Sequence, residues 1–138
     1  MKDCTVFAIL TCHNRREKTN KCLGSIYRQE LPPGVKLKVI VVDDGSTDGT
    51  SESIQALFPE IAVIKGDGSL YWTGGMRKAW SFALSSGLSD EDFLLWLNDD
   101  VDLCDSAMVG LLRSYNEVAG QVGRSAIIAG NLVSSGGE

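Results

Sequence analysis

The sequence predicts an α/β fold: three α/β/α layers around a mostly parallel, doubly wound sheet. Three observations point there. Solid apolar runs such as Val39-Ile40-Val41-Val42 and Phe93-Leu94-Leu95-Trp96-Leu97 lack polar alternation, which suits strands buried on both faces. Between the runs lie stretches with apolar residues at i, i+3, i+4 and i+7, the stripe of helices packed on a sheet. Each strand also breaks abruptly into a polar loop. Strands alternating with helices long enough to act as crossovers form a parallel sheet with helices on both faces.

Taken in order, Thr5 to Leu10 is β-branched and apolar and exits into Thr11-Cys12-His13-Asn14. Asn14 and Glu17 stand at capping-box spacing, and Thr19, Cys22, Leu23, Ile26 and Tyr27 make the stripe of a first helix, ended by Pro32-Pro33-Gly34. Val35 to Val42 forms the second strand and breaks into Asp43-Asp44-Gly45-Ser46-Thr47-Asp48-Gly49-Thr50, residues that favour tight turns. Ser51 to Phe58 reads as a short helix closed by Pro59, and Ile61 to Ile64 as a third strand.

Lys65 to Thr73 has no periodicity and reads as a loop in which Trp72 forms a binding wall. After Gly74-Gly75, residues Met76, Ala79, Trp80, Ala83 and Leu84 mark a helix. Phe93 to Leu97 is the fourth strand and exits into Asn98-Asp99-Asp100-Val101-Asp102. A last helix starts near Asp105-Ser106 and carries Met108, Leu111, Leu112, Tyr115 and Val118. Arg124 to Leu132, with Ala126-Ile127-Ile128-Ala129, reads as a fifth strand before the polar end Ser134 to Glu138.

A length of 138 residues suits one domain, residues 1–138, with a real core. Hydrophobic residues at 43% and charged residues at 22% are those of a globular chain. No 18-residue apolar stretch or signal-peptide pattern is present, which gives the expectation of a cytoplasmic protein. Cys4, Cys12, Cys22 and Cys104 lack CxxC spacing and read as reduced core or edge residues. A net charge of −5 argues against nonspecific nucleic-acid binding.

Chemistry is expected at the carboxyl ends of the strands, where open α/β sheets bind ligands. Four exits share that edge: Thr11 to Asn14, Asp43-Asp44, the Gly66 to Trp72 loop, and Asn98 to Asp102. Crowded carboxylates at two exits call for a neutralising partner, and a hard cation bound through oxygen is a common one. The chain has no GxxxxGK[ST] motif, and Gly66-Asp67-Gly68 is not a dinucleotide fingerprint, which leaves a metal-bridged phosphate. His13, the only histidine, reads as a structural residue, and Arg15, Arg16 and Lys18 as a basic cluster that is solvated unless it contacts a diphosphate or a membrane surface.

Four stretches in register then resemble the inverting family 2 glycosyltransferases with the GT-A fold. VFAILTCHNR resembles their opening strand and "TxxNR" exit, and VVDDGSTDGT their most recurrent signature. GDGSLYWTGGMRKAW resembles the "WTGG" stretch of rhamnosyltransferase-like members, and WLNDDVDL their "LNNDV" form of the DxD motif. The resemblance implies a truncated GT-A fold: the nucleotide-sugar (donor) binding part of an enzyme of polysaccharide biosynthesis. It implies metal-assisted transfer of a sugar from a UDP-, dTDP- or GDP-linked donor to a carbohydrate or lipid-linked acceptor, with inversion. Thr11, Asn14, Asp44 and Asp99 would bind the nucleotide, and Asp43 would support the loop. Trp72, Gly74, Gly75 and Arg77 would border the diphosphate and donor sugar, and Asp100 and Asp102 would ligate Mn²⁺ or Mg²⁺. The general base and the acceptor-binding part are expected outside these residues, so the fragment alone would catalyse little. Association of a full-length protein with the inner face of the plasma membrane is a further expectation.

Three rivals stand beside this reading. A sugar nucleotidyltransferase would carry a glycine-rich basic segment after its first strand, whereas Thr11 to Arg16 contains no glycine. A receiver-like regulatory domain would carry paired acids there, and this chain has none. The third is a non-catalytic nucleotide-binding module.

Overall fold

A long apolar strand sits at the centre of the molecule and builds both cores at once. In the computed structural model, which describes residues 3–123 and 125–133, β1 (Cys4–Cys12) is buried almost throughout. Because side chains alternate along a strand, Val6, Ala8, Leu10 and Cys12 enter one core, while Phe7 and Ile9 enter the other. The remaining elements follow as α1 (Arg16–Tyr27), β2 (Val35–Asp44), α2 (Thr50–Leu57), β3 (Ala62–Gly66), α3 (Tyr71–Ser85), β4 (Phe93–Trp96) and α4 (Ala107–Val122). The first core takes Cys22, Leu23 and Ile26 from α1, Ile54 from α2, and Met108 and Leu112 from α4. Met76, Ala79 and Ala83 of α3 close the second core against Ile40 and Val42. The three predicted layers are therefore present.

All three strand pairings are parallel, in the order β3-β2-β1-β4. The chain winds from β1 through β2 to β3 in one direction and then crosses back to place β4 on the other side of β1. The reversal falls between β1 and β4, and Cys12 is registered with Asp43 at the same edge.

Several expectations need correction. The predicted fifth strand does not form: described residues 125–133 have no regular secondary structure, and Ile127 is 99% exposed. An apolar run does not become a strand without a neighbour for its amides and carbonyls, and Ser125 to Ile128 instead border an apolar cleft of about 300 Å³ between β4 and α4. Arg124 and Ser134 to Glu138 lie outside the described residues. β4 is a sheet edge among those described and is not doubly buried: Phe93, Leu94 and Leu95 are half-buried, and Trp96 is exposed. Phe93 packs edge to face on Tyr115 of α4, and Trp96 on Trp80 and Trp72.

The capping box is absent as well. Asn14 takes a left-handed backbone (φ 50°) and α1 begins at Arg16 with no side-chain cap from its own residues. The supposed loop Lys65 to Thr73 gives way at Tyr71 to α3, so the Trp72-Thr73-Gly74-Gly75 stretch is helical.

The cysteines are free thiols, with Cys4, Cys12 and Cys22 buried and Cys104 exposed. Burial pushes the Cys12 thiol up to about 12, with the charges of Asp43 and Asp99 adding to the effect, and burial likewise pushes Cys22 up to about 12. Thiolate is the reactive form, so at pH 8 the folded protein is expected to react with the aromatic disulfide DTNB quickly at Cys104 and slowly at the other three. Fast release of more than one equivalent, or no loss of the fast phase in Cys104→Ser, would contradict this burial pattern.

Candidate functional site

The site at the reversal is built by loops that hold one another. At the exit of β2, Asp43 and Asp44 are both almost fully buried, at 3% and 4% exposure. The Asp43 carboxylate accepts the Ser46 amide at 3.1 Å and the Ser51 hydroxyl, so it supports the loop as the sequence suggested. Asp44 is more heavily engaged. Its Oδ1 accepts the Gly68 amide at 2.9 Å, and its Oδ2 accepts the amides of Leu70 at 3.0 Å and Tyr71 at 2.9 Å. Three charge-assisted bonds lock the start of α3 to the end of β2. The carboxylate expected to reach a base or ribose is turned to the protein's own backbone.

The exits of β1 and β2 are joined in the same way. The His13 Nδ1–H donates to the Asp44 carbonyl at 2.6 Å, and its Nε2 accepts from the Asn14 amide at 3.3 Å, a tautomer assigned from these partners. The Asn14 backbone N–H donates to Ser46 Oγ at 2.8 Å, and its side-chain oxygen accepts the Thr47 amide at 2.7 Å. Asp48 accepts the first amide of α1, from Arg16, at 3.1 Å and the amide of Thr50 at the start of α2, also at 3.1 Å. The Thr50 hydroxyl, more than any other partner, holds the Asp48 carboxyl below the usual carboxylate range. His13 is thus structural, as expected, and so in part is Asn14.

The floor of the crevice is close-packed. Thr11, at the end of β1, is 8% exposed and its hydroxyl donates to the Val42 carbonyl at 3.1 Å. Gly75 of α3 lies directly over it: a β-carbon there would meet Thr11 Oγ1 and stand 2.7 Å from Thr11 Cβ. Gly66 is equally constrained, since a β-carbon would stand 2.5 Å from Asp44 Oδ1. Thr11 and Gly75 therefore shape the floor.

The rim carries the groups a ligand can meet. Trp72 is 50% exposed, and its indole N–H donates to Asn98 Oδ1 at 3.1 Å, tying α3 to the exit of β4. Gly74 is half-buried against Leu70, and Arg77 is exposed one turn further along α3.

The acidic segment is neutralised by basic residues in α1 and at its two caps. Arg15 Nη1 lies 3.2 Å from Asp99 Oδ1 and 3.3 Å from Asp100 Oδ2, and so spans the reversal between β1 and β4. Asp102 turns elsewhere, 3.1 Å from Lys21 and 3.5 Å from Arg28. Asp99 is buried to 7% exposure; burial raises its carboxyl, the Asp100 charge adds to that, and Arg15 opposes both. Among the described residues no three metal-binding side chains converge. Two carboxylate oxygens do converge on one point, and a positive charge already stands there. That donor set fits a hard divalent cation held by one or two carboxylates and completed by water and ligand phosphates. Asp100 and Asp99 could hold it, whereas Asp102 is drawn toward α1.

Sequence reasoning gave Arg15 to a basic cluster and did not place it against the acids, although it is the counter-charge of the pair. The signal was available in its place at the exit of β1, one strand away from the acids. It also missed that Asp44 holds the loop through three amides and that the Thr11 hydroxyl bonds the neighbouring strand, since such partners leave no mark in a motif.

The profile of glycosyl transferase family 2 matches residues 7–121. A search of the curated proteins returned no significant match. Among solved structures, S. aureus TarS is similar at 21% identity and a TM-score of 0.62, covering 87% of this chain and 20% of that one. The mannosyltransferase PcManGT from Pyrobaculum calidifontis, in complex with GDP-Man and Mn²⁺, is similar at 26% identity and a TM-score of 0.51, over 69% of this chain and 27% of that one. A 4-diphosphocytidyl-2C-methyl-D-erythritol synthase shares the fold at 20% identity and a TM-score of 0.60, over 87% of this chain and 56% of that one. The chain therefore spans about a fifth to a quarter of the length of TarS and of the mannosyltransferase.

Proposed function

Because this chain belongs to glycosyl transferase family 2, we propose that it carries the donor and metal site of an inverting glycosyltransferase. The observation that carries the proposal is the convergence of Arg15, Asp99, Asp100 and the Trp72 end of α3 at the strand-order reversal, where such sheets bind ligands. TarS has been solved with UDP and with UDP-GlcNAc, and the mannosyltransferase with GDP-Man and Mn²⁺, which supports a nucleoside-diphosphate sugar as the ligand class.

In this reading the nucleoside lies over the floor made by Thr11 and Gly75, beside Asn14 and Asp99. Asp44 acts at one remove, by fixing the Gly68 to Tyr71 backbone that borders the pocket. Arg77, the amides near Gly74 and the Trp72 ring border the diphosphate and sugar. Asp100 is the principal ligand of Mn²⁺ or Mg²⁺, with Asp99 beside it. A divalent cation bound there would stabilise the charge that develops on the leaving diphosphate. The acceptor hydroxyl forms the new bond to the anomeric carbon as the bond to the diphosphate breaks, and its proton passes to a base. That base is assigned to no residue of this chain. Among the described residues no helix is long and apolar enough to cross a membrane. A cytoplasmic site of action, at the inner face of the plasma membrane, is part of the proposal.

Thermal unfolding with UDP, dTDP and GDP, each with and without Mn²⁺, tests the donor claim. One nucleotide is expected to stabilise the protein only with Mn²⁺, by about 2.7 kcal/mol at 100 times its dissociation constant. That is a shift of roughly 10 °C for a chain of this size. Asp100→Ala is expected to abolish the metal dependence. No shift with any nucleotide in folded protein would reject the reading, and a shift with Mg²⁺ and a phosphate mimic alone would favour the receiver-like alternative.

A further inference from the structure

A single nitrogen, Arg15 Nη1, is shared between Asp99 Oδ1 at 3.2 Å and Asp100 Oδ2 at 3.3 Å, at the point where those carboxylates come together. We infer that Arg15 is a resident counter-cation of this pair, one that a divalent metal must displace and that a diphosphate then re-engages. The inference rests on the donor reading for the diphosphate half alone; the metal half stands on the geometry.

Coulombic competition supplies the reasoning. A divalent ion held by Asp99 Oδ1 and Asp100 Oδ2 would compete with the guanidinium for the same two oxygens and would repel it by its own charge. Metal binding to the ligand-free protein therefore breaks two charge-assisted bonds, and metal affinity is lowered by what those bonds contribute. Arg15 has the freedom to move its side chain: that side chain is 48% exposed, and only the backbone is held, as the N-cap whose carbonyl accepts the Thr19 amide at 2.9 Å. Lys21 and Arg28 do not take its place, because both engage Asp102. A displaced guanidinium beside a bound metal remains within reach of the same crevice. The natural partner for its planar donors there is an anion with several oxygens, such as a diphosphate. Metal and diphosphate then bind cooperatively, since the diphosphate gives the released arginine a partner, and the coupling is reciprocal.

The test compares wild type with Arg15→Gln and Arg15→Lys, each first confirmed folded by its unfolding curve. Mn²⁺ affinity is measured by electron paramagnetic resonance without nucleotide, and UDP affinity by titration calorimetry at saturating Mn²⁺. Arg15→Gln is expected to bind Mn²⁺ alone at least about 5-fold more tightly than wild type and, with Mn²⁺ present, UDP about 5-fold more weakly, the span of ordinary coupling energies. Arg15→Lys, which keeps the charge and loses the planar fork, is expected to stay near wild type in Mn²⁺ affinity and to fall between wild type and Arg15→Gln in UDP affinity. A purely structural arginine would alter stability without raising metal affinity. Equal Mn²⁺ affinity in wild type and Arg15→Gln, or no Mn²⁺ binding to either, overturns the inference. If Mn²⁺ affinity rises as expected but neither UDP nor GDP binds any variant, the donor reading fails and Arg15 stands as the counter-cation.

Discussion

Asp44→Ala is expected to lower the unfolding free energy by roughly 3 to 5 kcal/mol, the range for breaking a buried hydrogen-bond network around a charge. The residue is 4% exposed and accepts three amides, from Gly68, Leu70 and Tyr71. Its loss leaves those three buried amides without their acceptor. It also removes a negative charge from the N-terminal end of α3, where the helix dipole favours one. Asp44→Asn is not a rescue, because an amide nitrogen would point at one set of donors. Urea unfolding checks the prediction: the midpoint should fall by about 2 M at an ordinary m-value. A change under about 1 kcal/mol would mean that the three bonds contribute little or that the Gly66 to Leu70 loop rearranges around the loss. Nucleotide binding should weaken in any surviving folded protein, since the same amides order the border of the crevice.

The second large effect is expected at Gly75. A valine there places its β-carbon against Thr11 Oγ1, 2.7 Å from Thr11 Cβ and 3.1 Å from Thr11 Cγ2. Neither partner can yield easily: Thr11 is fixed by its bond to Val42 and by the centre of the sheet, and α3 is held by Met76, Ala79 and Ala83 in the core. Overpacking of this kind costs roughly 1 to 3 kcal/mol, and the value for Gly75→Val should lie at the upper end. Gly110→Ala in α4 is the control, because a β-carbon there meets nothing within 4 Å. It should stabilise by roughly 0.5 to 1 kcal/mol through helix propensity. Thr11→Ala removes two of the three close contacts but leaves Cβ, so the double variant should recover only part of the loss. Equal stability of Gly75→Val and wild type would show that α3 can lift from β1.

The pattern of apolar runs was enough to order the strands and helices, because β1 and β2 are buried on both faces and admit no polar alternation. It could not foresee partners. Ala126 to Ala129 has the composition of a strand and lacks a neighbour to pair with. Tyr71 to Thr73 looks like the end of a loop because it carries no apolar stripe, yet α3 already begins at Tyr71, and the close approach of Thr11 demands glycine at position 75 inside it. At the site, three crowded carboxylates correctly signalled a missing positive charge. The charges beside them in this structure are Arg15, Lys21 and Arg28, which sequence distance concealed. The family resemblance named the motifs, and the roles of Asp44 and Thr11 emerged only from their donors and acceptors.

Asp48 makes one counter-charge serve two helices, since it receives the first amides of both α1 and α2. Its oxygens divide the work, Oδ2 for Arg16 and Oδ1 for Thr50, so either amide can let go while the other stays bound. The stretches around Asn14 to Arg16 and Ser46 to Thr50 are cross-linked through Asn14 and Asp48, and in Asp48→Ala hydrogen exchange is expected to speed up in both. The mouth of the crevice is in that sense one part, although it is assembled from residues more than thirty positions apart in the chain.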